Sequence, residues 1–242
     1  MKPHQTWELY TIKGFEGFIY IKNPFEVRGQ QEWIQKCLEK YPCKPSLTNL
    51  DVHFDNVDDI WSLRNDPDPE RRSYIRKLCW ATLGYHHNWD TKLYNPNHRS
   101  SMPQCLHELS NHIAECLGFV TFKPEAAIVN YYNLKSSLGI HNDHSEEDLE
   151  SPIISISFGQ TGLFLIGTDN KVDKPEAIFL RSGDIVIMSG VCRLSYHAVP
   201  CILTEDVCST YFDNQTRDWE EFYEFISRSR INISVRKVYK TL

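Results

Sequence analysis

His141 and Asp143 stand two positions apart in the stretch AIVNYYNLKSSLGIHNDH, residues 127–144. On an extended chain, residues i and i+2 point to the same side, so an imidazole and a carboxylate can converge on one point. A distant His would complete a two-His-one-carboxylate face. Such a face leaves coordination positions open and suits non-haem Fe(II) oxygen chemistry. The His-x-Asp pair alone says little, because it recurs by chance in soluble proteins. His197, in RLSYHAVP on a predicted strand, is the candidate third member. A lone strand His is more often a core residue; as the third member of this pattern it is read as a ligand.

A second constellation is Arg230-Ile-Asn232-Ile-Ser234-Val-Arg236. Period two places the four polar groups on one strand face and the β-branched residues on the other. An amphipathic surface strand explains the alternation but not two arginines and an Asn on one side. A small dicarboxylate explains both, because guanidinium forks bind carboxylates bidentately. Asn130 and Tyr132 share a face of their own strand and could add an amide and a phenol donor. A third stretch, LCWATLGYHHNWDTKLY at 78–94, gathers aromatic and hydrogen-bonding groups around Gly84. A core strand explains Trp80, Thr82 and Tyr85 but not His86, His87, Asn88 and Asp90 beside them; aromatic and hydrogen-bonding groups together suit a base that is stacked and read by its edge. A hairpin with an aromatic flank fits the same residues.

The elements that must position these groups follow from periodicity. Residues 6–22 end in a strand-like FIYI, and Pro24 closes it. Trp33, Ile34, Cys37, Leu38 and Tyr41 fall at helical spacing within 30–41. Residues 42–70 read as a long polar connection, and Arg71, Arg72, Arg76 and Lys77 as a basic cluster on a helix. A second helix is predicted over 101–117, with Pro103 near its start and Gly118 as a stop. Strands follow at 126–132, 153–158, 161–167, 176–181, 184–189, 194–199 and 230–239, punctuated by glycines. A late helix spans 216–227. Helices first and then many short strands argue an α+β fold whose C-terminal half is a sandwich or jelly-roll barrel.

The 242 residues allow one large domain or two small ones, and 41% hydrophobic with 24% charged residues supports a sizeable core. The net charge of −6 means that a nucleic-acid partner needs a local basic face. Two clusters could form a phosphate-binding rim: Arg71–Lys77, and Arg228, Arg230, Arg236, Lys237 and Lys240 near the end of the chain. Solvated helix and strand faces account for most of the same charges. The eight cysteines form no C-x-x-C pair and no zinc spacing, and read as core fillers in a reducing compartment. No secretory or transit pattern opens the chain, and no apolar run approaches the roughly 18 residues of a membrane span. Asn214-Gln-Thr216 and Asn232-Ile-Ser234 match the glycosylation sequon by chance. An intracellular location is expected, in nucleus, cytoplasm or mitochondrion, with no membrane partner.

In order along the chain, Asn-x-Tyr, His-x-Asp, a distant His and Arg-x-Asn-x-Ser-x-Arg resemble the AlkB family of Fe(II)- and 2-oxoglutarate-dependent dioxygenases. The likeness is closer still to its AlkB homologue 1 branch. Supporting stretches are NPF at 23–25, GYHHNWD at 84–90, NYYNLKSSLGIHND at 130–143, SISFGQ at 155–160, SGDIVIMSG at 182–190 and HAVP at 197–200. The resemblance runs from about Trp7 to Val238.

The resemblance implies that His141, Asp143 and His197 hold Fe(II). Asn130, Tyr132, Arg230 and Arg236 would hold 2-oxoglutarate, with Asn232 and Ser234 shaping that strand and O2 as the second cosubstrate. It implies a double-stranded β-helix core at 126–242. The N-terminal helical extension and nucleotide-recognition lid would occupy 1–125, the whole forming one compact unit. Within the lid, Trp80, Tyr85, His86 and His87 would meet the base. The implied reaction is oxidative demethylation or oxidation of methylated bases in tRNA and/or DNA: N1-methyladenine, N6-methyladenine, 3-methylcytosine or 5-methylcytosine, on an unpaired, bulged or flipped base. Ser145 stands where several family members carry a second Asp that bonds the base, so base selectivity does not transfer. Related animal proteins carry a longer N-terminal leader, so a trimmed or short form is expected. Two other classes compete: a protein-hydroxylating 2-oxoglutarate oxygenase, which needs a peptide groove, and a catalytically silent metal-binding module.

Overall fold

A computed structural model of the chain describes residues 1–54, 57–204 and 219–240. Among these residues two antiparallel sheets face each other. The larger runs in the order β1 (Glu8–Tyr10), β2 (Phe18–Lys22), β11 (Ile185–Met188), β8 (Ile153–Gly159), β13 (Ser229–Arg236), β6 (Ala126–Asn133), β4 (Trp80–Asn88) and β3 (Leu47–Thr48). A further strand, β5 (Leu93–Arg99), pairs with β4 to make a hairpin. The smaller sheet runs β10 (Glu176–Leu180), β9 (Thr161–Ile166), β12 (His197–Leu203), β7 (Leu138–His141). The core is the expected jelly roll. β2 pairs with β11 and β4 with β6, so segments on either side of residue 125 share one sheet.

Period-two alternation decides what each face does. On β13, Ile231, Ile233 and Val235 point outward into the main core, as do Ala127, Val129 and Tyr131 on β6 and Ile154, Ile156 and Phe158 on β8. That outer face is covered by α1 (Val27–Glu39), α4 (Gln104–Cys116) and α5 (Glu220–Ile226). The Tyr131 hydroxyl reaches the Cys37 carbonyl of α1 at 2.5 Å. The inner face meets the smaller sheet through Phe18, Tyr132, Phe164, Ile166, Val186 and Met188. Each inner β13 position carries a polar residue.

Three expectations need correction. Residues 42–70 are not a polar connection: Leu50, Ile60, Trp61 and Leu63 are buried, and Trp61 stacks on Phe222 at 4.9 Å. Their apolar spacing has no period, so the pattern was silent. The predicted strand at 194–199 is a 3-10 turn over Gly190–Leu194 followed by β12, shifted because Arg193 turns inward and is buried. β12 also breaks register between Ala198 and Cys201, where Pro200 has no N–H to donate. The basic helix is two short pieces, α2 (Pro69–Arg72) and α3 (Tyr74–Lys77). The late helix begins at Glu220, and residues 216–218 of that prediction lie outside the described residues.

Gly84 lets β4 pass close to the neighbouring chain. Its φ is +69°, and a Cβ there would sit 2.1 Å from the Glu125 carbonyl oxygen. Gly84→Ala is therefore expected to cost at least about 2 kcal/mol through forced backbone displacement. Urea unfolding monitored by tryptophan fluorescence measures this; an unchanged midpoint would show that the strand relaxes freely.

Candidate active site

The His141–Asp143–His197 cluster forms where β7 ends and β12 begins. His141 and His197 are direct partners in the β7–β12 ladder, and Asp143 follows on the loop after β7. His141 Nδ1 donates to the Gly139 carbonyl at 2.9 Å and His197 Nδ1 to the Ser195 carbonyl at 3.1 Å. A carbonyl only accepts, so each bond fixes the tautomer that leaves Nε2 as a lone pair. Both Nε2 atoms lie 4.0 Å from the Asp143 carboxylate, and the three candidate ligand atoms lie within 4.8 Å of one another. That spacing suits one metal ion between them. Burial raises the Asp143 pKa, but the charge of Arg236, followed by His197, His141 and Arg193, more than offsets this. The carboxyl is held well below its usual range.

The cluster opens onto a cavity of about 350 Å³. Asn130, Tyr132, Arg230, Asn232, Ser234 and Arg236 line it with the triad, so the sequence candidates for metal and cosubstrate converge on one space. Arg230 is fully buried, with 1% of its surface exposed. Its Nη1 donates to the Leu180 carbonyl at 3.0 Å and its Nη2 to Ser157 Oγ at 2.7 Å, while its Nε has no partner. No carboxylate among the described residues pairs with it. Burial lowers its pKa to about 10. A Cβ at Gly162 would lie 2.9 Å from Arg230 Nε, so glycine there makes room for the guanidinium. A buried cation with an open donor and no internal counter-ion fits an incoming carboxylate. Tyr132 pairs with Arg230 across β6–β13, and burial raises its phenol to about 12. It therefore stays a neutral donor.

Arg236 is the opposite case. It is buried at the other end of β13 with two carboxylates beside it, Glu146 at 2.9 Å and Asp143 at 3.6 Å, and it donates to Ser234 Oγ at 2.6 Å, while its Nε, like that of Arg230, has no partner. Glu146 is shared with Arg193, at 2.9 Å. Arg193 in turn donates to the main-chain carbonyls of Asp143 at 2.6 Å and Ser151 at 3.0 Å. Sequence reasoning missed both Glu146 and Arg193. One was hidden in an acidic loop, the other on a turn without periodicity. Arg193 ties the Asp143 loop to the turn that delivers His197.

Of the four base-contact candidates, among the described residues only His87 lines the cavity. Trp80 packs against Trp89 at 5.0 Å, Tyr85 sits edge-on to Tyr239 at 4.9 Å, and His86 is buried against Thr82 and His98. Neighbouring strand residues face opposite ways, so His86 and His87 cannot both reach one space. Trp89 and Lys92, on the β4–β5 turn, join His87 at the cavity edge, where His87 Nε2 meets Ser145 Oγ at 3.1 Å. Burial, then the charge of Arg236, lowers the His87 pKa to about 4.

A jelly roll with a facial triad facing a buried, unmatched arginine describes a class of oxygenase, and residues 17–236 match the model of the 2OG-Fe(II) oxygenase superfamily. The chain belongs to that superfamily and, by its relatives, to the AlkB family within it. It is 38% identical to "Nucleic acid dioxygenase ALKBH1" of Homo sapiens, over all of this chain and 69% of that protein. It is 30% identical to "DNA N(6)-methyladenine demethylase ALKBH1A" of Arabidopsis thaliana, over 96% of this chain and 78% of that one. It is 41% identical to "tRNA demethylase abh1" of Schizosaccharomyces pombe, over 67% of this chain and 53% of that one. A solved structure titled "The structure of OsALKBH1" shares the fold, with a TM-score of 0.61 at 19% identity, covering 95% of this chain and all of that one.

Glu146→Ala leaves two buried arginines short of a partner, and is expected to cost about 3–5 kcal/mol. Glu146→Gln, read by unfolding at several pH values, isolates the charge. The Glu146 carboxyl is held below its usual pKa value in the fold: burial raises it, and Arg236 and Arg193 more than offset this. Its contribution is therefore complete above that value and is lost as pH falls through the folded pKa. The Gln variant should show a shallower acid decline than the parent; equal slopes would remove Glu146 from the linkage.

Proposed function

We propose that this chain is an Fe(II)- and 2-oxoglutarate-dependent nucleic-acid dioxygenase that oxidises methyl groups on bases of tRNA or DNA. The observation that carries this reading is one cavity holding both a tautomer-fixed His141–Asp143–His197 cluster and a buried Arg230 that, among the described residues, has no carboxylate in ion-pair range. The activities named for the human, plant and yeast relatives support that substrate class.

His141 and His197 would hold Fe(II) through Nε2, and Asp143 through a carboxylate oxygen. Arg230 would take the distal carboxylate of 2-oxoglutarate, desolvated by the walls around it. Tyr132 and Asn130 would add neutral hydrogen bonds along the same ligand. When bound, iron and 2-oxoglutarate supply with O2 the oxidising equivalents for hydroxylating a methyl group. Phe164, Val186 and Met188 keep that part of the cavity apolar and limit water. Arg236 and Glu146 hold Asp143 charged and oriented. His87, kept neutral, would meet the edge of an unpaired or flipped base, and Trp89 would supply a ring for stacking.

The decisive experiment supplies Fe(II), 2-oxoglutarate and ascorbate with methylated tRNA and unpaired or bubble DNA, and reads each methyl mark by mass spectrometry. Iron-dependent loss or oxidation of one mark is expected, abolished by His141→Ala or Asp143→Ala with the fold intact. Succinate without a nucleic-acid product would redirect the reading to proteins, and no succinate would defeat it. Arg230→Ala should raise the 2-oxoglutarate KM well over tenfold, since losing one partner of a buried pair costs about 2–5 kcal/mol. An unchanged KM would move the anchor elsewhere.

A further inference from the structure

Two basic segments that play no part in the oxidation cavity meet at the end of the large sheet where β6 leaves and β13 enters. Arg72 and Arg76 come from α2 and α3, Lys135 from the turn after β6, and Arg228 from the junction of α5 with β13. Together they line an open cleft of about 900 Å³. Tyr132 borders both this cleft and the oxidation cavity, so the two lie on either side of one residue.

The charge in the cleft is poorly cancelled. Arg64 is taken by Glu221. Arg72 donates to the Asp66 and Pro67 carbonyls at 2.7 and 2.9 Å, which are neutral acceptors. Arg76, Lys135 and Arg228 are exposed, and among the described residues none has a carboxylate in ion-pair range. The remaining acid in the lining is Glu224. On a chain of net charge −6, four cations that share a cleft with one further acid, Glu224, repel each other unless they share an anion. Of the lining rings, Trp61, Tyr131 and Tyr132 are 5–7% exposed, and Phe225, packed edge-on to Trp61, is the one partly exposed ring among the described lining residues.

We propose that this cleft is a second contact for the nucleic-acid substrate, holding a phosphodiester segment away from the base being oxidised. The proposal rests on the nucleic-acid reading of the cavity and extends it. Spread cations that meet phosphates position a backbone and read no sequence. The open shape suits a continuous polyanion better than a single small anion. Folded or long substrates would use both contacts, and short single strands only the cavity.

The test is fluorescence anisotropy of the full chain with an RNA stem-loop, across a salt series. It compares the parent with Arg76→Glu, Lys135→Glu and Arg228→Glu combined, and with the three single alanine variants. The combined variant should bind at least tenfold more weakly. Each lost phosphate contact should lower the slope of log K on log salt by about 0.7–0.9. Should the combined variant melt well below the parent, the alanine variants carry the test through slope decrements near one each. Affinity within twofold of the parent and an unchanged slope would overturn the proposal. So would tighter binding of a polyglutamate peptide than of the stem-loop by the parent. The two readings fail separately: a parent that oxidises methylated strands but ignores the charge reversals loses only the cleft. A parent that oxidises no strand loses the cavity reading.

Discussion

The burial of two arginines on the inner face of one eight-residue strand is the constraint on which the rest of the structure depends. A guanidinium removed from water is tolerated when its charge and donors are met. β13 meets that demand in two different ways. At Arg236 the fold supplies the anions itself, through Glu146 and Asp143. At Arg230 it supplies neutral oxygens from Leu180 and Ser157 and leaves Nε without a partner. The first has its charge matched without a ligand, although the Arg236 Nε also lacks a partner. The second is completed by a carboxylate from outside.

The charge-matched end explains how the triad keeps its shape. Asp143 lies on a loop, where backbone freedom works against precise positioning. Arg193 removes that freedom by holding the Asp143 main-chain carbonyl, while the Glu146–Arg236 pair fixes what faces its side chain. Arg193 also lies on the turn that leads into β12, so the guanidinium holding Asp143 is continuous in chain with the segment that orients His197. The geometry of three candidate ligands thus reduces to one buried ion network and two backbone carbonyls.

Much of this was legible in the sequence, and the reason is periodicity. The alternation Arg-Ile-Asn-Ile-Ser-Val-Arg told which β13 side chains face the cavity, and Asn130 and Tyr132 followed by the same rule on β6. His141 and Asp143 were legible as a spaced pair, and His197 only as a possible partner, since which strand crosses beside which is a tertiary fact. Glu146 looks like any acid in the run Ser145-Glu146-Glu147-Asp148, and nothing local shows that it is buried between two arginines. The base-contact stretch misled for a different reason. An aromatic-rich hairpin presents its residues to two faces and around a turn, and composition does not say which ring reaches the cavity. Trp80 is packed beneath Trp89, and it is Trp89 that borders the space.

The same alternation limits how the cavity can treat a base. Among the described residues its charged lining is Lys92, Asp143, Arg230 and Arg236. Asp143 belongs to the triad and stands beside Arg236, and Glu146 is enclosed by two guanidiniums. Near the edge, among the described residues, lie the neutral His87 imidazole, the Ser145 hydroxyl, the Trp89 indole and the Lys92 ammonium, with Asn142 and His144 also in the lining. His87 is held neutral by the buried position that places it against Ser145, so the edge offers hydrogen bonds and a ring face rather than a carboxylate. Recognition there depends on shape and on neutral donor–acceptor matching. On the proposed function, the cations at the sheet end would add to Lys92 in attracting a polyanion.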